Sequence, residues 1–498
     1  MISLPLTLTL LLLTYLITNR ITRYLRLAHI PGPLPAKITT LWLAHHQSTG
    51  SLARHLSSLS KTHGRIYRIA PEWVMTSSPA AIRQIWSARG PWYRGQWYDM
   101  FRFDQPVRTI LSERDNTKHA ALKAKLLPGY SGKDVDNLHE VVDRRVDDLV
   151  RLIERKYLSS DDGRVYKPMD LAEKAQFMTQ DVISELAMGR CFECCDNDRD
   201  TYGQMTEVTG SLPLMVTLAV IPWTLNLLQN PVVRALLPKE KLEGVMRQQQ
   251  VAKSQAAERF GEGKVVKRDM LGSFVKHGLG YTSAWLETFG QIGAGSDTTA
   301  TAIRMTMFYL MSSPGSYGKL QREIDAAVSE GRVSSPVADE QAKKLPYLQA
   351  VMKEGMRLCP PVMGLLPRIC DTEQVVCGVR IPPGTNVCWD AISIFRDEET
   401  FGADAGVFRP ERWLMEGEDV EKRKNMDFVQ GLVFGTSGQF ECLEKTIALL
   451  ELNKVFVELL RRFDFALVNP LTPVVSRDYS LSLQSQLWVR VTRRPAAL

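Results

Sequence analysis

Apolar residues recur at steps of three and four positions along several long stretches of the chain, and this spacing predicts helices. Val142 and Val146 are part of such a run between positions 135 and 153, which gives a helix one apolar face. Another helix is expected to begin after Asp170, because aspartate is a good N-cap residue, and to end near Gly189. Helices are therefore expected to dominate the fold.

Strand-like segments are short and lie toward the two ends of the chain. The stretches GRIYRIA and EWVMTS come early, and CDTEQVVCGVRIPPGTNVCWD follows Pro360. Runs rich in β-branched and aromatic residues between turn residues are typical of strands. Beyond the first 40 residues there is no proline-rich linker, low-complexity tract or internal repeat. The sequence predicts one large domain, mainly α with a minor β part.

The first segment predicts a membrane anchor. Residues 2–18 carry no charge and are rich in leucine, and three arginines follow closely. The segment is somewhat short of the ~20 residues that cross a bilayer, but the arginines would stay in the cytosol with the rest of the chain. A cleaved signal peptide is the alternative, and a clear charged start and cleavage site are missing. We expect an anchor over residues 1–19, a basic and proline-rich hinge over 20–40, and the large domain over 41–498.

Composition narrows the classes of function. The chain has 498 residues, 44% of them apolar, and a formal charge of +7 without a block of like charges. Nucleic-acid binding is therefore disfavoured, whereas an acidic protein partner or an anionic membrane fits the balance. The eight cysteines include one C-x-x-C, in CFECC at 191–195, without a second pair at metal-ligand spacing. We expect all of them to be reduced thiols.

The least ordinary helix is expected over Trp285–Met311. It is apolar on nearly every face and should be buried, yet its centre, GAGSDTTA, contains poor helix formers and the carboxylate of Asp297. Burial of a carboxylate is costly unless the carboxylate has a use. This segment is therefore a candidate site, at which a flat ligand could lie against small residues. Close packing on another helix is the alternative.

A charged network is expected farther along the chain. Glu354 and Arg357 are three residues apart on one predicted helix, a spacing that favours an ion pair. Arg412, in FRPERW, could complete a buried network because a guanidinium forms paired hydrogen bonds with a carboxylate. Taken alone, the pair would be an ordinary surface contact.

Cys442 lies between a glycine-containing turn and a long amphipathic helix. The N–H groups and the dipole at the start of a helix favour an anion, so the thiol ionises more easily there. A thiolate in that place is a nucleophile or a ligand for a soft metal centre, and a buried structural cysteine is the alternative. A thiol-based enzyme would need a base near Cys442, and no motif among the eight histidines suggests one.

The order of these motifs resembles that of the cytochrome P-450 superfamily. AGSDTT (Ala294–Thr299), EGMR (Glu354–Arg357), FRPERW (Phe408–Trp413) and the cysteine-centred turn follow one another as in that family, and the resemblance extends over essentially the whole chain. The run ELNKVFVELLRRFDFALVNP is similar to fungal members of the pisatin-demethylase-like kind. The resemblance implies a cytochrome P-450 fold, with a single heme-thiolate catalytic domain behind an N-terminal transmembrane helix.

The resemblance also implies roles for residues of this chain. Cys442 would be the thiolate ligand of the iron of heme b. Thr298 and Asp297 would be the alcohol and the acid that deliver protons on the distal side of the heme. The structural triad on the proximal side would consist of Glu354, Arg357 and Arg412.

Further residues would contact the heme itself. His119, Lys123 and Arg368 match positions that reach the heme propionates, although lysine at position 123 replaces the arginine that is common there. Phe434 and Gly438 belong to the cysteine-centred turn of the cofactor site.

Two departures from the family pattern concern this turn. Phe434 and Cys442 are eight positions apart, one more than in the family, and Glu444 replaces a glycine that gives clearance against the heme face. Near a thiolate, a carboxylate adds repulsion and bulk. We expect Glu444 to point outward to solvent from the first helical turn, where the helix dipole favours it. A heme-binding homologue with impaired or lost turnover is the alternative function.

The expected function is that of a membrane-anchored heme-thiolate monooxygenase. It would use O2 to oxidise a small hydrophobic compound, by resemblance in fungal secondary-metabolite biosynthesis. The sequence has no glycine-rich nucleotide-binding loop, so electrons would come from a separate NADPH–cytochrome P-450 reductase. We expect a single-pass protein of the endoplasmic reticulum membrane with its heme domain in the cytosol. Two apolar stretches, Gly90–Phe103 and Ser211–Trp223, fall where the family builds its substrate pocket.

Overall fold

Helices account for most of the molecule. The structure is a computed structural model that describes residues 4–102, 106–221, 223–224, 227, 230, 232, 243–261, 263–414, 420–435 and 438–495. The α-helices of these residues are α1 (Leu4–Arg26), α2 (Leu34–Ile38), α3 (Leu41–Ser48), α4 (Leu52–His63), α5 (Pro79–Ile85), α6 (Asn116–Tyr130), α7 (Leu138–Leu152), α8 (Leu171–Met188), α9 (Cys194–Asn197), α10 (Gln204–Ala219), α11 (Glu243–Phe260), α12 (Met270–Lys276), α13 (Tyr281–Met311), α14 (Pro314–Ser329), α15 (Asp339–Ala342), α16 (Pro346–Leu358), α17 (Ala391–Phe395), α18 (Glu398–Phe401), α19 (Val420–Gly431) and α20 (Lys445–Leu460). Short 3₁₀ segments cover Gln96–Phe101, Pro410–Trp413 and Leu432–Phe434, and a π-helical turn covers Ile153–Tyr157.

The β-strands are short. They are β1 (Ile66–Ala70), β2 (Trp73–Thr76), β3 (Tyr93–Arg94), β4 (Leu158–Ser159), β5 (Met169–Asp170), β6 (Arg368–Ile369), β7 (Gln374–Val376), β8 (Val379–Ile381), β9 (Asn386–Trp389), β10 (Phe463–Leu467), β11 (Val475–Tyr479), β12 (Leu481–Ser485) and β13 (Trp488–Arg493). The largest sheet has the order β1-β2-β9-β6-β3, so it joins an early part of the chain to a late one. β13 lies between β10 and β4 and also pairs with β5, whereas β11–β12 and β7–β8 are two-stranded. A mainly α fold with a minor β part is confirmed.

Capping residues set the ends of α8 as the sequence predicts. The Asp170 carboxylate accepts a hydrogen bond from the Ala172 N–H, and Gly189 ends the helix with a φ of 67°. The preceding helix, α7, begins at Leu138 rather than at residue 135, because Asn137 takes a left-handed conformation with a φ of 55°. Both predicted helices are therefore present, and the start of one was placed three residues too early.

α13 runs through the centre of the main hydrophobic core. It has 31 residues, of which twenty are buried, and it packs against α8, α11, α16 and α20. The cysteine-centred turn leads directly into α20, and α20 packs against α13 in the same hydrophobic core. The turn therefore lies close to α13. The close packing brings the two sequence motifs that carry the site onto facing surfaces.

α1 has an apolar but exposed surface. Leu8, Leu11, Leu12 and Tyr15 are each more than half exposed, and Arg23 and Arg26 lie in the last turn. None of the helices in the described parts of the chain combines the length and the apolarity needed to cross a membrane.

Candidate functional site

The turn before α20 is shaped by backbone contacts. The Cys442 N–H donates to the Phe434 carbonyl oxygen at 2.8 Å, which closes the turn onto its own start. Gly435 has a φ of 83°, and a Cβ atom there would lie 2.8 Å from the Phe440 carbonyl oxygen. Glycine is therefore required at position 435. The additional residue is expected within GTSG, residues 435–438, of which 436 and 437 lie outside the described residues.

The Cys442 thiol accepts hydrogen bonds from the backbone N–H groups of Glu444 and Lys445. Protein surrounds the thiol, and this burial, with the Glu444 carboxyl as the next cause, raises its pKa to about 12. Cys442 nevertheless has accessible surface, as expected for a side chain on the wall of an internal pocket. A metal cation deprotonates a coordinating thiol outright, so two N–H donors and one open face suit Cys442 to a metal-bound thiolate.

Glu444 points inward, and the prediction that it faces solvent is wrong. A Cβ atom placed on Gly295 of α13 would lie 2.5 Å from Oε2 of Glu444, so the carboxyl reaches the opposite helix. Its Oε1 is buried without a hydrogen-bond partner, and burial raises the pKa of Glu444 to about 8. The absence of a side chain at Gly295 leaves a space that the carboxyl enters, at the cost of its solvation.

The small-residue segment of α13 presents two faces. Gly295 faces the start of α20, and Thr298 lies three residues later on the same face. The Thr298 hydroxyl donates to the Ala294 carbonyl oxygen at 2.9 Å, one turn back. Asp297 lies on the other face, buried, where it accepts a hydrogen bond from Gln176 of α8. The predicted alcohol and acid are therefore adjacent in sequence but make separate contacts.

Cationic side chains gather around the Phe440 ring. The guanidinium carbon atoms of Arg94 and Arg368 lie 4.6 Å and 4.2 Å from its centroid, and the His119 ring lies 4.8 Å away. Burial lowers the pKa of Arg94 to about 10. Burial and then the charges of Arg94, Lys123 and Arg368 lower the pKa of His119 to about 3.

Several nitrogen atoms of this cluster have no hydrogen-bond partner. The Nε atoms of Arg94 and Arg368 and the Nδ1 atom of His119 are buried without a hydrogen-bond partner. In the part of the chain that the structure describes, Arg94 donates to backbone carbonyl oxygens between residues 110 and 113, and Arg368 donates to the Tyr98 hydroxyl, so neither donates to a carboxylate. Buried cations favour anionic partners, and the two propionates of a heme held through Cys442 would supply them. The residues present thus fit a heme.

Lys123 takes a position different from that of the other cations. Its Nζ atom donates to the carbonyl oxygens of Gly438, Gln439 and Glu441, at 2.9, 3.2 and 3.4 Å. Lys123 therefore ties α6 to the cysteine-centred turn, and the sequence-based expectation of a propionate contact stays a prediction. Arg368 donates to the Tyr98 hydroxyl at 2.7 Å, which fixes its orientation.

The predicted charged triad forms in full. Arg357 donates to both carboxylate oxygens of Glu354 at 2.9 and 2.8 Å, and Arg412 donates to Oε1 at 2.9 Å. The Trp413 indole N–H also donates to the carboxylate at 2.9 Å. All four side chains are buried. Further hydrogen bonds to backbone carbonyls, such as Arg357 to Phe395, satisfy the remaining guanidinium donors.

The two apolar stretches expected at the substrate pocket pack against each other. Trp97, Tyr98 and Met100 share a buried cluster with Leu212 and Val216 of α10. Other side chains of the second stretch, Leu214 and Trp223 among them, are largely exposed. The first stretch ends at Phe103, which is outside the described residues.

Two charged residues could not be recognised from a motif: Arg94, beside Phe440, and Arg304, which donates to the Gln176 side chain that binds Asp297. Arg94 stands in the aromatic stretch WYRGQWY, and Arg304 is the lone cation in the apolar run TAIRMTMFY. In both cases the signal is a charge in a sequence that must be buried, since such a charge needs a partner.

Other metal chemistry is not supported by side-chain clusters. Among the described residues, no group of three or more His, Cys, Asp or Glu side chains could hold a metal ion. All eight cysteines are free, including Cys191, Cys194 and Cys195. The single C-x-x-C is therefore not part of a disulfide.

Comparisons with known proteins agree with this geometry. The sequence matches the cytochrome P-450 family over residues 29–486. It is 38% identical to the cytochrome P-450 monooxygenase ABA1 of Pyricularia oryzae over 490 residues, which cover 96% of this chain and 95% of the relative. It is 38% identical to the cytochrome P-450 monooxygenase aba1 of Botryotinia fuckeliana, with 94% and 92% covered. The monooxygenase gsfF of Penicillium aethiopicum is 29% identical, with 94% of each chain covered.

Proposed function

The chain belongs to the cytochrome P-450 family of heme-thiolate monooxygenases, and we propose that it inserts oxygen into a small hydrophobic compound of secondary metabolism. The observation that carries the assignment to this chain's own residues is that Cys442 is held by two N–H donors and that Arg94 and Arg368 each have a buried Nε atom without a hydrogen-bond partner. The similarity to relatives named as monooxygenases covers nearly the whole chain, which supports the same reaction here.

Cys442, Arg94, Arg368 and His119 are the residues that would hold the heme. Bound heme supplies the reductive activation of O2. The backbone N–H groups at Cys442 stabilise its thiolate, since hydrogen bonds to the charged form favour it. The triad around Glu354 joins α16 to the 3₁₀ segment that contains Arg412.

Thr298 and Asp297 would handle protons on the other side. The Thr298 hydroxyl donates its hydrogen to Ala294, so its oxygen lone pairs remain able to accept a hydrogen bond from a water or an oxygen ligand. Asp297 is buried with Oδ2 lacking a partner, and a buried carboxyl with one open oxygen can take up and release a proton.

Electrons and location belong to the same proposal. The sequence has no glycine-rich nucleotide-binding loop, so we assign electron supply to a separate NADPH-dependent reductase, and the net charge of +7 suits an acidic partner. The exposed leucines of α1 support attachment to the endoplasmic reticulum membrane, with the rest of the chain in the cytosol. An apolar cluster around Trp97 supports a hydrophobic substrate.

Turnover with a reductase tests the function. Purified protein should show a Soret absorption band, and NADPH consumption should require both the protein and an added cytochrome P-450 reductase. Extracts of a strain that lacks the gene, compared with those of its parent, should contain one compound that the enzyme converts in vitro. A colourless protein would contradict the proposal.

A second function is favoured by one observation. Glu444 enters the space between α20 and α13, where its bulk would oppose the cofactor. On this reading the chain binds heme but has impaired or lost turnover. A protein with a Soret band that never accelerates NADPH consumption, and gains that activity in Glu444→Gly, would support it.

A further inference from the structure

Three buried polar side chains form a line that leads away from the distal side of the site. Gln176 of α8 donates through Nε2 to Oδ1 of Asp297, and Arg304 donates through Nη2 to Oε1 of Gln176 at 2.7 Å. The exposed fractions of Asp297, Gln176 and Arg304 are 3%, 2% and 1%. Asp297 and Arg304 are thus linked through a neutral amide rather than by direct contact.

The hydrogen bond from Arg304 determines the orientation of the Gln176 amide. A guanidinium only donates hydrogen bonds, so the atom of Gln176 that faces Arg304 is the carbonyl oxygen. The NH2 group must then face Asp297. Oδ1 of Asp297 therefore accepts a hydrogen bond in this arrangement, and any proton on the carboxyl resides on Oδ2, which is buried and has no partner.

From this geometry we propose that Gln176, supported by Arg304, is a positioning residue that fixes the Asp297 carboxyl so that Oδ2 alone exchanges protons. The proposal rests on the role of Asp297 in the proposed function. Gln176 does not touch a reacting atom; it acts through the carboxyl that it binds.

The other end of the line is anchored on the C-terminal strands. Arg304 donates through Nη1 to the Gln484 carbonyl oxygen of β12 at 3.0 Å, and the Thr301 hydroxyl donates to the Ser482 carbonyl oxygen at 2.8 Å. One turn of α13 is therefore fixed against β12. A fixed guanidinium holds Gln176 in one rotamer, which is what a positioning role requires.

Neighbouring charges and a hydrogen bond shift the pKa of Asp297. Burial raises the pKa of Asp297, whereas the charge of Arg304 and the hydrogen bond from Gln176 act in the opposite direction, and Asp200, in the loop before α10, raises it further. Loss of the Gln176 amide would remove one of the two groups that favour the ionised carboxylate.

The test compares leucine variants at two glutamines of α8. Gln180 is one turn from Gln176 and equally buried, but it donates to Gln204 and does not touch Asp297. Gln176→Leu and Gln180→Leu therefore remove the same kind of buried amide from the same helix. In Gln176→Glu the side chain keeps an acceptor for Arg304 but loses the donor to Asp297, so a packing role would survive and a positioning role would not.

Two readouts are measured on heme-loaded protein. The first is the infrared carbonyl band of protonated Asp297, identified by its loss in Asp297→Asn and followed against pH. Gln176→Leu should raise the apparent pKa of this band by about one unit, whereas Gln180→Leu should leave it in place. The second is peroxide released per NADPH consumed, which should rise at least threefold in Gln176→Leu and Gln176→Glu.

The possible results distinguish a positioning role of Gln176 from a packing role. Equal effects of Gln176→Leu and Gln180→Leu on both readouts, or full retention of coupling in Gln176→Glu, would overturn the proposal in favour of plain packing. The infrared titration needs no turnover, so an unshifted Asp297 band in Gln176→Leu would overturn it even in a protein without oxygenase activity. Failure of the proposed function would appear differently, as a wild-type protein that consumes no NADPH.

Discussion

Thr298 and Asp297 are consecutive residues, so their side chains leave α13 about 100° apart. Thr298 is on the face that Gly295 turns toward α20, and its hydroxyl hydrogen is given to Ala294. Asp297 is directed at α8. At this scale the alcohol and the acid are two separately positioned groups, and substitution of each should have its own effect.

Thr298→Ala removes a hydroxyl whose lone pairs remain available on the face toward α20. We expect NADPH consumption to continue while product per NADPH falls roughly tenfold or more, the size of a lost proton-transfer contribution, with peroxide released instead. Thr288→Ala is the matched control, because Thr288 makes the same type of bond to the carbonyl oxygen of Ala284 at 2.9 Å. Equal coupling in the Thr298 variant and the control would mean that protons arrive by another route.

Residue identities at the site follow from the sequence better than side-chain directions do. Cys442 and Asp297 stand out because each breaks a local rule, a lone thiol at a helix start and a carboxylate in an apolar helix. The inward direction of Glu444 does not follow, because it depends on a glycine of α13 that is distant in sequence. The helix dipole favoured an outward pose, and packing decided otherwise.

At the scale of elements, the Glu354 carboxylate joins α16 to the segment that contains Arg412. Glu354→Ala would leave two buried guanidinium groups without a counter-charge. We expect it to lower the free energy of unfolding by roughly 3–5 kcal/mol, measured as a fall in Tm and in heme per polypeptide.

An exposed acid provides the control for this prediction. Glu340 forms an ion pair with Lys343 at 2.9 Å while its side chain is 78% exposed. Glu340→Ala should change the free energy of unfolding by about 0.5 kcal/mol or less. Similar falls in Tm for both variants would contradict a special role for the buried triad.

Glu287 connects α13 to the segment before α6. Its Oε1 accepts a hydrogen bond from the Ile110 N–H at 2.8 Å, and burial raises its pKa from 4.5 to about 8. Between these values the folded protein keeps a proton that the unfolded chain has lost, so the stability from this group is present below pH 4.5 and is lost as pH rises toward 8. We expect Tm to fall over this window.

Glu287→Gln isolates that contribution. The amide oxygen can still accept from Ile110, but it does not titrate. Tm of the variant should therefore fall less than that of the wild type between about pH 5 and pH 8. Parallel pH profiles would show that Glu287 is not the group responsible.

Elements that end at strong capping residues were predictable, and others were not. α8 is capped by Asp170 at its start and by Gly189 at its end, as its sequence indicates. The five-stranded sheet could be anticipated only as short strands near both ends, since its pairing of β2 with β9 joins segments far apart in the chain. Such pairing is set by tertiary packing, which local patterns do not report.

At the scale of the whole molecule, α1 differs from the core helices because several of its leucines are about half exposed or more. Removal of residues 1–28 should release the protein from membranes and leave heme per polypeptide within experimental error of the full chain. Cell fractionation followed by heme quantification measures both. A truncated protein that still pellets fully with membranes would contradict attachment by this helix alone.

The order of the motifs along the chain predicted the family and the mainly α fold of the whole molecule. No single motif sufficed, because an i,i+3 ion pair or a lone cysteine is common in proteins without a shared function. Their common sequence order, together with the match to the family over residues 29–486, fixed the class of enzyme. Arg94 was missed because the β3–β6 pairing that brings it to Arg368 is visible only in the fold.

The most direct test of heme ligation by Cys442 is the absorption spectrum of the ferrous–CO complex of the wild type and of Cys442→Ser. Thiolate ligation by Cys442 predicts a strongly red-shifted Soret band in the wild type and its complete loss in the variant. Cys377→Ser is the control, because Cys377 is also a free and exposed cysteine and should leave the band unchanged. A wild-type band at the position of a histidine or neutral-thiol ligand, or a red-shifted band that survives in Cys442→Ser, would contradict thiolate ligation by Cys442.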